Sequence, residues 1–374
     1  MTVPERALAR VDLGAVERNC AHLLAQLEGG AELCAVVKAD GYGHGASWCA
    51  RAALAGGATW LAVATAGEAA DLRRHGIASR LLVMGALTSE DAEIALEADA
   101  DVVVWDPDFL AALAKRAAAL PSPPARVHVK LDTGMGRLGT KDAALAQSLC
   151  DSAAADERVQ LAGLMTHFAT ADEPGDDHFP AQLEAFRDFV DETRRAHPDV
   201  LVHAANSAAT LRDPAAHFDL VRCGIAVYGL DPFQEDPGPR GLEPALALES
   251  YVAAVKRFAP GESAGYGRRW SPDRETWVGV LPIGYGDGWR RALSNNADVL
   301  VRGRRHPLVG TVSMDNVTIE LGGETSVRPG DRAVLIGAQD GQRILCEEVA
   351  RRLDTINYEV TCGLSQRVPR RHER

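Results

Sequence analysis

The chain is 374 residues long, 46% apolar and 25% charged, with a formal net charge of −12, a composition that fits a globular protein of about two domains. The acidic balance argues against nucleic acid or an anionic membrane surface as a partner, and no apolar run approaches the ~20 residues of a membrane span. The opening MTVPERALARVDL lacks the apolar core of a signal peptide, and seven scattered cysteines without CxxC spacing read as reduced thiols of a cytoplasmic protein, with neither disulfide framework nor metal site expected.

In chain order, Asp12 stands where it can cap a helix carrying Val16, Cys20, Leu23, Leu24 and Leu27 on one face. Short apolar, often β-branched runs follow near residues 34–38, 60–65, 80–85, 101–105, 126–132, 160–167, 200–206 and 219–222. Helical spacing fills the gaps. Pro107 to Leu120 is one such helix, capped by Asp106 and stopped by Pro121, and Asp177 to His197 is a longer one closed by Pro198. Eight strands alternating with helices suit a doubly wound sheet or a closed (β/α)₈ barrel. A dinucleotide-binding sheet would carry GxGxxG after its first strand; GYGHGA from Gly41 fails at the third glycine, and the strand count favours the barrel. Beyond about residue 240 the texture changes. TWVGVLPIGY, ADVLVRG, HPLVGTVSM, NVTIEL and DRAVLIG read as strands of a mostly-β domain, interrupted by a single short helix from Cys346 to Leu353. The expectation is an α/β protein with an N-terminal (β/α)₈ barrel over 1–240 and a mostly-β domain over 241–374, joined near Gly238–Gly241.

Candidate chemistry begins with AVVKADGYGHGA, from Ala35. An apolar strand ends in Lys38, and burial lowers an amine's pKa and makes it nucleophilic. Three glycines behind it let backbone approach an anion. Alone, such a lysine more often snorkels to solvent. The other strand ends add to it, because a barrel's active site lies at the C-terminal ends of its strands. Strand five brings Lys130, Asp132 and Arg137, strand six His167, strand seven Asn206 and Ser207, strand eight Arg222. Each has a plain alternative: an Asp132–Arg137 ion pair, a core histidine, a Ser207 helix cap. Their shared position outweighs these alternatives, since unpaired charge is costly to bury.

These segments resemble the alanine racemase family. The resemblance runs through the lysine motif, KLDTGMGRLG from Lys130, HFATAD from His167, NSAAT from Asn206 and VRCGIAVYGLDP from Val221. It continues through SAGYGRRW from Ser263, LPIGYGDGW from Leu281, GTVSMDNVTIEL from Gly310 and INYEVTCGLSQRVPR from Ile356. It spans essentially the whole chain, and GYGRRW and SMDN are its most specific parts.

The resemblance implies pyridoxal 5′-phosphate bound covalently by Lys38, which also acts as one base, with Tyr266 as the other. It implies that Tyr42, Ser207, Gly224, Ile225 and Tyr358 hold the cofactor phosphate. Arg222 then faces the pyridine nitrogen with His167 behind it, and Arg137 and the Met314 backbone bind the substrate carboxylate. Lys130 matches a lysine that is often carbamylated in the family and orients Arg137. Tyr266, Met314 and Asp315 are expected to complete the site of a neighbouring subunit in a head-to-tail homodimer. Inverting an α-carbon needs a base on each face, and a tyrosine, ordinarily near ~10, needs cationic neighbours to serve; His167 and Arg222 are the expected sources. Tyr266 and Tyr358 narrow the pocket to a small side chain. Ser313 and Asn316 depart from the Cys and Gln that relatives often carry. The implied activity is interconversion of L- and D-alanine, for cell-wall precursors. A broader-range racemase acting on serine, a decarboxylase and a non-catalytic cofactor carrier are the alternatives. A carrier usually lacks the second domain, and a decarboxylase normally sets a carboxylate where Arg222 stands.

Overall fold

The computed structural model describes residues 5–120 and 124–374; Pro121, the expected stop of the Pro107 helix, lies outside them. The chain divides into two compact units, Val16–Val227 and a second made of residues up to Ala15 together with Tyr228–Arg374.

The first unit is a closed barrel of eight parallel strands in sequence order, confirming the expected fold. They span Glu32–Val36, Trp60–Val63, Arg80–Val83, Asp101–Val104, Ala125–Lys130, Val159–Met165, Leu201–His203 and Leu220–Cys223. WLAV and DVVV are buried throughout, as parallel strands covered on both faces require. The connecting helices start where side chains take up orphan amides. Thr65 with Glu68 and Thr88 with Asp91 form capping boxes, and Asp106 Oδ1 accepts the Phe109 amide at 2.8 Å. The helix from Pro107 stops at Ala117. Asp12 caps as expected, accepting the Ala15 amide at 2.9 Å, but that helix ends at Ala25, so Leu27 lies past it. Asp177 makes no side-chain cap bond to the helix His178–Ala196.

The second unit is a ten-stranded sheet. All five runs read from the sequence are strands, at Thr276–Leu281, Asp298–Val301, Arg304–Val309, Val317–Gly322 and Arg332–Gln339. Val317–Gly322 alternates buried with half-buried positions, the mark of an antiparallel strand with one covered face. The sheet also takes Ala7–Asp12, which pairs antiparallel with Leu246–Tyr251 and parallel with Arg370–Glu373. The sequence reading placed that N-terminal segment with the barrel; its backbone partners lie in the β-rich unit instead. Glu249 ties this part of the sheet together, accepting from Arg10 at 3.0 Å and pairing with Arg332. Two short helices, not one, interrupt the strands: Cys346–Arg352 and Asn357–Cys362. Six residues are too few for the second to show a helical period. Gly238–Gly241 is a tight turn, Gly241 closing it at φ 71°, thirteen residues past the junction between the units at Val227 and Tyr228.

Candidate active site

The first barrel strand stops at Val36, two residues short of Lys38. It stops because the chain turns left-handed. Ala39, Asp40, Gly41, Tyr42 and Gly43 all have φ between 52° and 83°, an arrangement that costs each non-glycine residue about 1–2 kcal/mol. Hydrogen bonds hold it: Gly41 N to Val37 O at 2.9 Å, Gly45 N to Asp40 O at 2.8 Å, and Ala46 N to Asp40 Oδ1 at 2.9 Å. Glu68, already part of a capping box, also accepts the Ala39 amide at 2.7 Å. The half-buried Lys38 is thus carried on a braced turn.

Around it the barrel gathers positive charge. Lys130 is buried, and burial, Arg222 and Arg137 push its ammonium down to about 8 against the pull of Asp132; Lys38 contributes in the same direction. Burial, then Arg222, Lys130, Arg137 and Lys38, hold His167 well below its usual range. It is therefore neutral near neutral pH. That corrects the expectation of His167 as a cationic neighbour.

Arg222 is buried, and burial lowers its guanidinium to about 10, still fully charged at neutral pH. It has no carboxylate partner among the described residues. Nη1 donates to His203 Nδ1 at 2.8 Å, and Nη2 to Thr166 O at 2.8 Å, Ala204 O at 2.9 Å and His167 Nδ1 at 3.2 Å. No hydrogen bond among the described residues uses its Nε.

Asp132 does not pair with the exposed Arg137. Burial raises its carboxyl, but the amides of Gly134, Gly136 and Met135 outweigh that and lower it. Two of those bonds, from Gly134 and Gly136, measure 3.1 Å, so Arg137 keeps its charge for another anion.

A second group sits at the ends of strands seven and eight. The plain alternative of a Ser207 helix cap does not hold: the cap is Asn206, whose Oδ1 accepts the Ala209 amide at 3.0 Å. The Ser207 hydroxyl instead accepts the amides of Gly224 at 3.0 Å and Ala226 at 3.3 Å. A Cβ at Gly224 would lie 2.3 Å from Tyr42 Oη, so only glycine lets that ring lie there. Tyr42, Ser207, Gly224 and the buried Ile225 therefore form one cluster.

The β-rich unit holds the remaining candidates. Tyr266 opens a short turn and is 73% exposed; its carbonyl accepts Thr311 Oγ1 at 2.7 Å. Three residues beyond Thr311 comes Met314, 51% exposed, whose carbonyl accepts the Gly286 amide at 2.9 Å. Asp315 accepts Arg367 Nη2 at 2.6 Å. Arg367 and Arg6 both pair with the buried Asp287, which fixes the Met314–Asp315 segment from behind. Tyr358 is half-buried on Asn357–Cys362. That helix is anchored through Asn357, which donates to Asp231 O and Glu347 Oε1, each at 2.9 Å.

Comparison with known proteins agrees across both units. Profiles for the alanine racemase N-terminal and C-terminal domains match residues 11–232 and 245–372. The chain is 44% identical over 363 residues to the alanine racemase of Symbiobacterium thermophilum, covering 97% of this chain and 96% of that one. The chain belongs to the alanine racemase family.

Solved alanine racemases superpose closely. The enzyme from D-cycloserine-producing Streptomyces lavendulae does so with a TM-score of 0.94 at 38% identity, over 99% of this chain and 98% of that one. The Bacillus anthracis alanine racemase with bound L-Ala-P gives 0.90 at 36%, over 100% and 96%. The family motifs led to the mouth residues but not to what stands behind them. His203, His128, Asp101, Glu68, Asp287 and Arg367 were not singled out in the sequence. Inward polar residues in otherwise apolar strands, as in RVHVK and LVHA, were the available signal for the two histidines.

Proposed function

We propose that this protein interconverts L-alanine and D-alanine with pyridoxal 5′-phosphate as cofactor, in the cytoplasm, supplying D-alanine for cell-wall precursors. The observation that carries the reading is Arg222, a buried cation without a carboxylate partner among the described residues, set among the charges of Lys38, Lys130 and Arg137. A group with several anionic oxygens and a ring nitrogen fits that surrounding. The nitrogen can accept from Arg222 Nε, and a phosphate can meet the Tyr42, Ser207, Gly224 and Ile225 cluster, with Tyr358 as a further contact. Bound through Lys38, pyridoxal phosphate would supply the electron sink for negative charge developing at the substrate α-carbon.

The chain's own groups then divide the work. Arg137 and the Met314 amide hold the substrate carboxylate. Lys38 Nζ takes or gives the α-proton on one face, and Tyr266 Oη does so on the other. Asp315 and Arg367 keep the Met314 segment in place. Once carbamylated, and so anionic, Lys130 would orient Arg137. Its pKa of about 8 leaves a fraction of neutral amine at neutral pH, the form that adds carbon dioxide. Tyr266 and Tyr358 restrict the side chain to one the size of alanine's. The exposure of Tyr266 and Met314 supports a head-to-tail homodimer in which they and Asp315 complete the site of a second copy.

The test is direct. Purified protein given L-alanine in deuterated water should form D-alanine with deuterium at the α-carbon. Its visible absorbance band should vanish on borohydride reduction, with the added mass mapped to Lys38. Formation of no D-alanine would overturn the assignment, whereas a band without turnover would point to another amino acid or to a carrier.

A further inference from the structure

Behind Arg222 an unbroken series of side-chain hydrogen bonds crosses the barrel interior. His203 accepts from Arg222 at Nδ1, and its Nε2 lies 2.7 Å from His128 Nδ1. His128 Nε2 lies 3.0 Å from Asp101 Oδ2. Asp101 also accepts from Arg126 Nε at 2.5 Å and Arg80 Nη2 at 3.1 Å. His203, His128 and Asp101 have no exposed surface. The series runs from the first residue of the fourth strand, through the fifth and seventh, to the eighth.

The order of protons in it follows from donor and acceptor chemistry. A guanidinium only donates, so His203 Nδ1 carries no proton. Burial, Arg222 and His128 hold His203 well below its usual range, so it is neutral and its one proton sits on Nε2. That proton points at His128 Nδ1, which must therefore be bare, leaving the His128 proton on Nε2 to be donated to Asp101. Burial raises the Asp101 carboxyl, but its bonds to His128 and Arg126 outweigh that and keep it ionised.

The fold makes room for this arrangement. A Cβ at Gly163, paired in register with His128, would lie 2.2 Å from its Nδ1. Trp60 meets the His128 ring edge-on at 5.9 Å, and Arg80 covers Trp60 at 3.9 Å.

We infer that Asp101 and His128 are positioning residues: they fix the tautomer of His203 and so present it to Arg222 purely as an acceptor. Arg222 is thereby held in one orientation, with Nε left for its ligand. The catalytic consequence rests on the alanine racemase reading; the proton order does not.

His128 and Arg80 share Asp101 Oδ2, while Arg126 has Oδ1, so an amide could keep its oxygen toward His128. Asp101→Leu keeps the volume and removes the acceptor altogether. Nothing then holds the His128 proton on Nε2, and the reversed tautomers, with His203 Nδ1–H facing Arg222, gain population.

The test is ¹⁵N NMR of histidine-labelled protein as purified, with kcat measured alongside. The wild type should show bare Nδ1 and protonated Nε2 at both His203 and His128. Asp101→Leu should shift both toward the opposite tautomer and lower kcat by roughly tenfold or more, the range for loss of a supporting hydrogen bond. Arg126→Gln, which removes an ion pair of Asp101 but not the His128 bond, should leave both tautomers unchanged. A protonated His203 Nδ1 in the wild type, unchanged tautomers in Asp101→Leu, or an equal shift in Arg126→Gln would each overturn the inference. If Asp101→Leu does not fold, the wild-type spectrum still decides the proton order. Absence of alanine racemisation with the expected tautomers in place would count against the function alone.

Discussion

Arg222 and Lys130 show how the same burial leads to different chemistry. A guanidinium has pKa to spare, so at about 10 Arg222 stays charged. A cation facing a ring nitrogen leaves that nitrogen unprotonated and weakens the electron sink. Arg222→Glu should therefore raise transamination relative to racemisation, read as the ratio of keto acid to D-alanine; an unchanged ratio would remove this role.

Lys130 loses more. Its pKa falls from 10.5 to about 8, so between those values the unfolded chain binds a proton that the folded one does not, and stability rises with pH. Lys130→Met removes that dependence. Its stability advantage over wild type, on the order of 2–3 kcal/mol at neutral pH, should shrink as pH climbs from 8 toward 10.5, measured by denaturant unfolding in buffers without bicarbonate.

At this scale the sequence was legible where a residue sits in a motif. Lys38, Arg222 and Ser207 were singled out that way. The bonds of Ser207 to Gly224 and Ala226, and the neutrality of His167, were not, because both depend on residues brought together only by barrel closure.

Among the elements, the turn after the first barrel strand carries the most local cost. Ala39 sits at φ 52°, where glycine is at ease. Ala39→Gly should leave stability unchanged or raise it by up to about 1 kcal/mol; a loss larger than that would mean the methyl packs in a way the turn needs. Gly224→Ala should do the opposite for binding. Its new Cβ displaces Tyr42, and cofactor affinity should fall at least tenfold in a titration followed by absorbance.

The barrel strands were readable because each is a short, mostly apolar run between helical segments. The strand Leu246–Tyr251 and the helix Asn357–Cys362 were not. ALES carries no alternation to mark a strand, and Asn357–Cys362 is a single short turn held by Asn357 rather than by a buried face. The strand Ala7–Asp12 was hidden for another reason: its partners lie at the far end of the chain.

For the molecule as a whole, the decisive question is whether a site is built from two copies. Lys38→Ala chains and Tyr266→Ala chains should each be inactive. Mixed under conditions that allow subunit exchange, they should recover up to about a quarter of wild-type activity, the statistical share of sites drawing both intact residues from different chains. No recovery after demonstrated exchange would place both bases on one chain. Overall architecture was legible at this scale because eight strand–helix alternations followed by strand-only texture admit few folds.

The strand Ala7–Asp12 has a consequence for how the protein comes into being. It is made before the barrel, yet its neighbours are Leu246–Tyr251 and Arg370–Glu373. The barrel strands, by contrast, each find a partner within the next stretch of chain, save for the closing pair. Synthesis can therefore finish the barrel while Ala7–Asp12 still waits for both of its partners. Contacts so distant in sequence form slowly, and the waiting strand offers unpaired backbone to other chains meanwhile. In a crowded cell, the vulnerable interval opens when Ala7–Asp12 is made and closes when Arg370–Glu373 settles beside it.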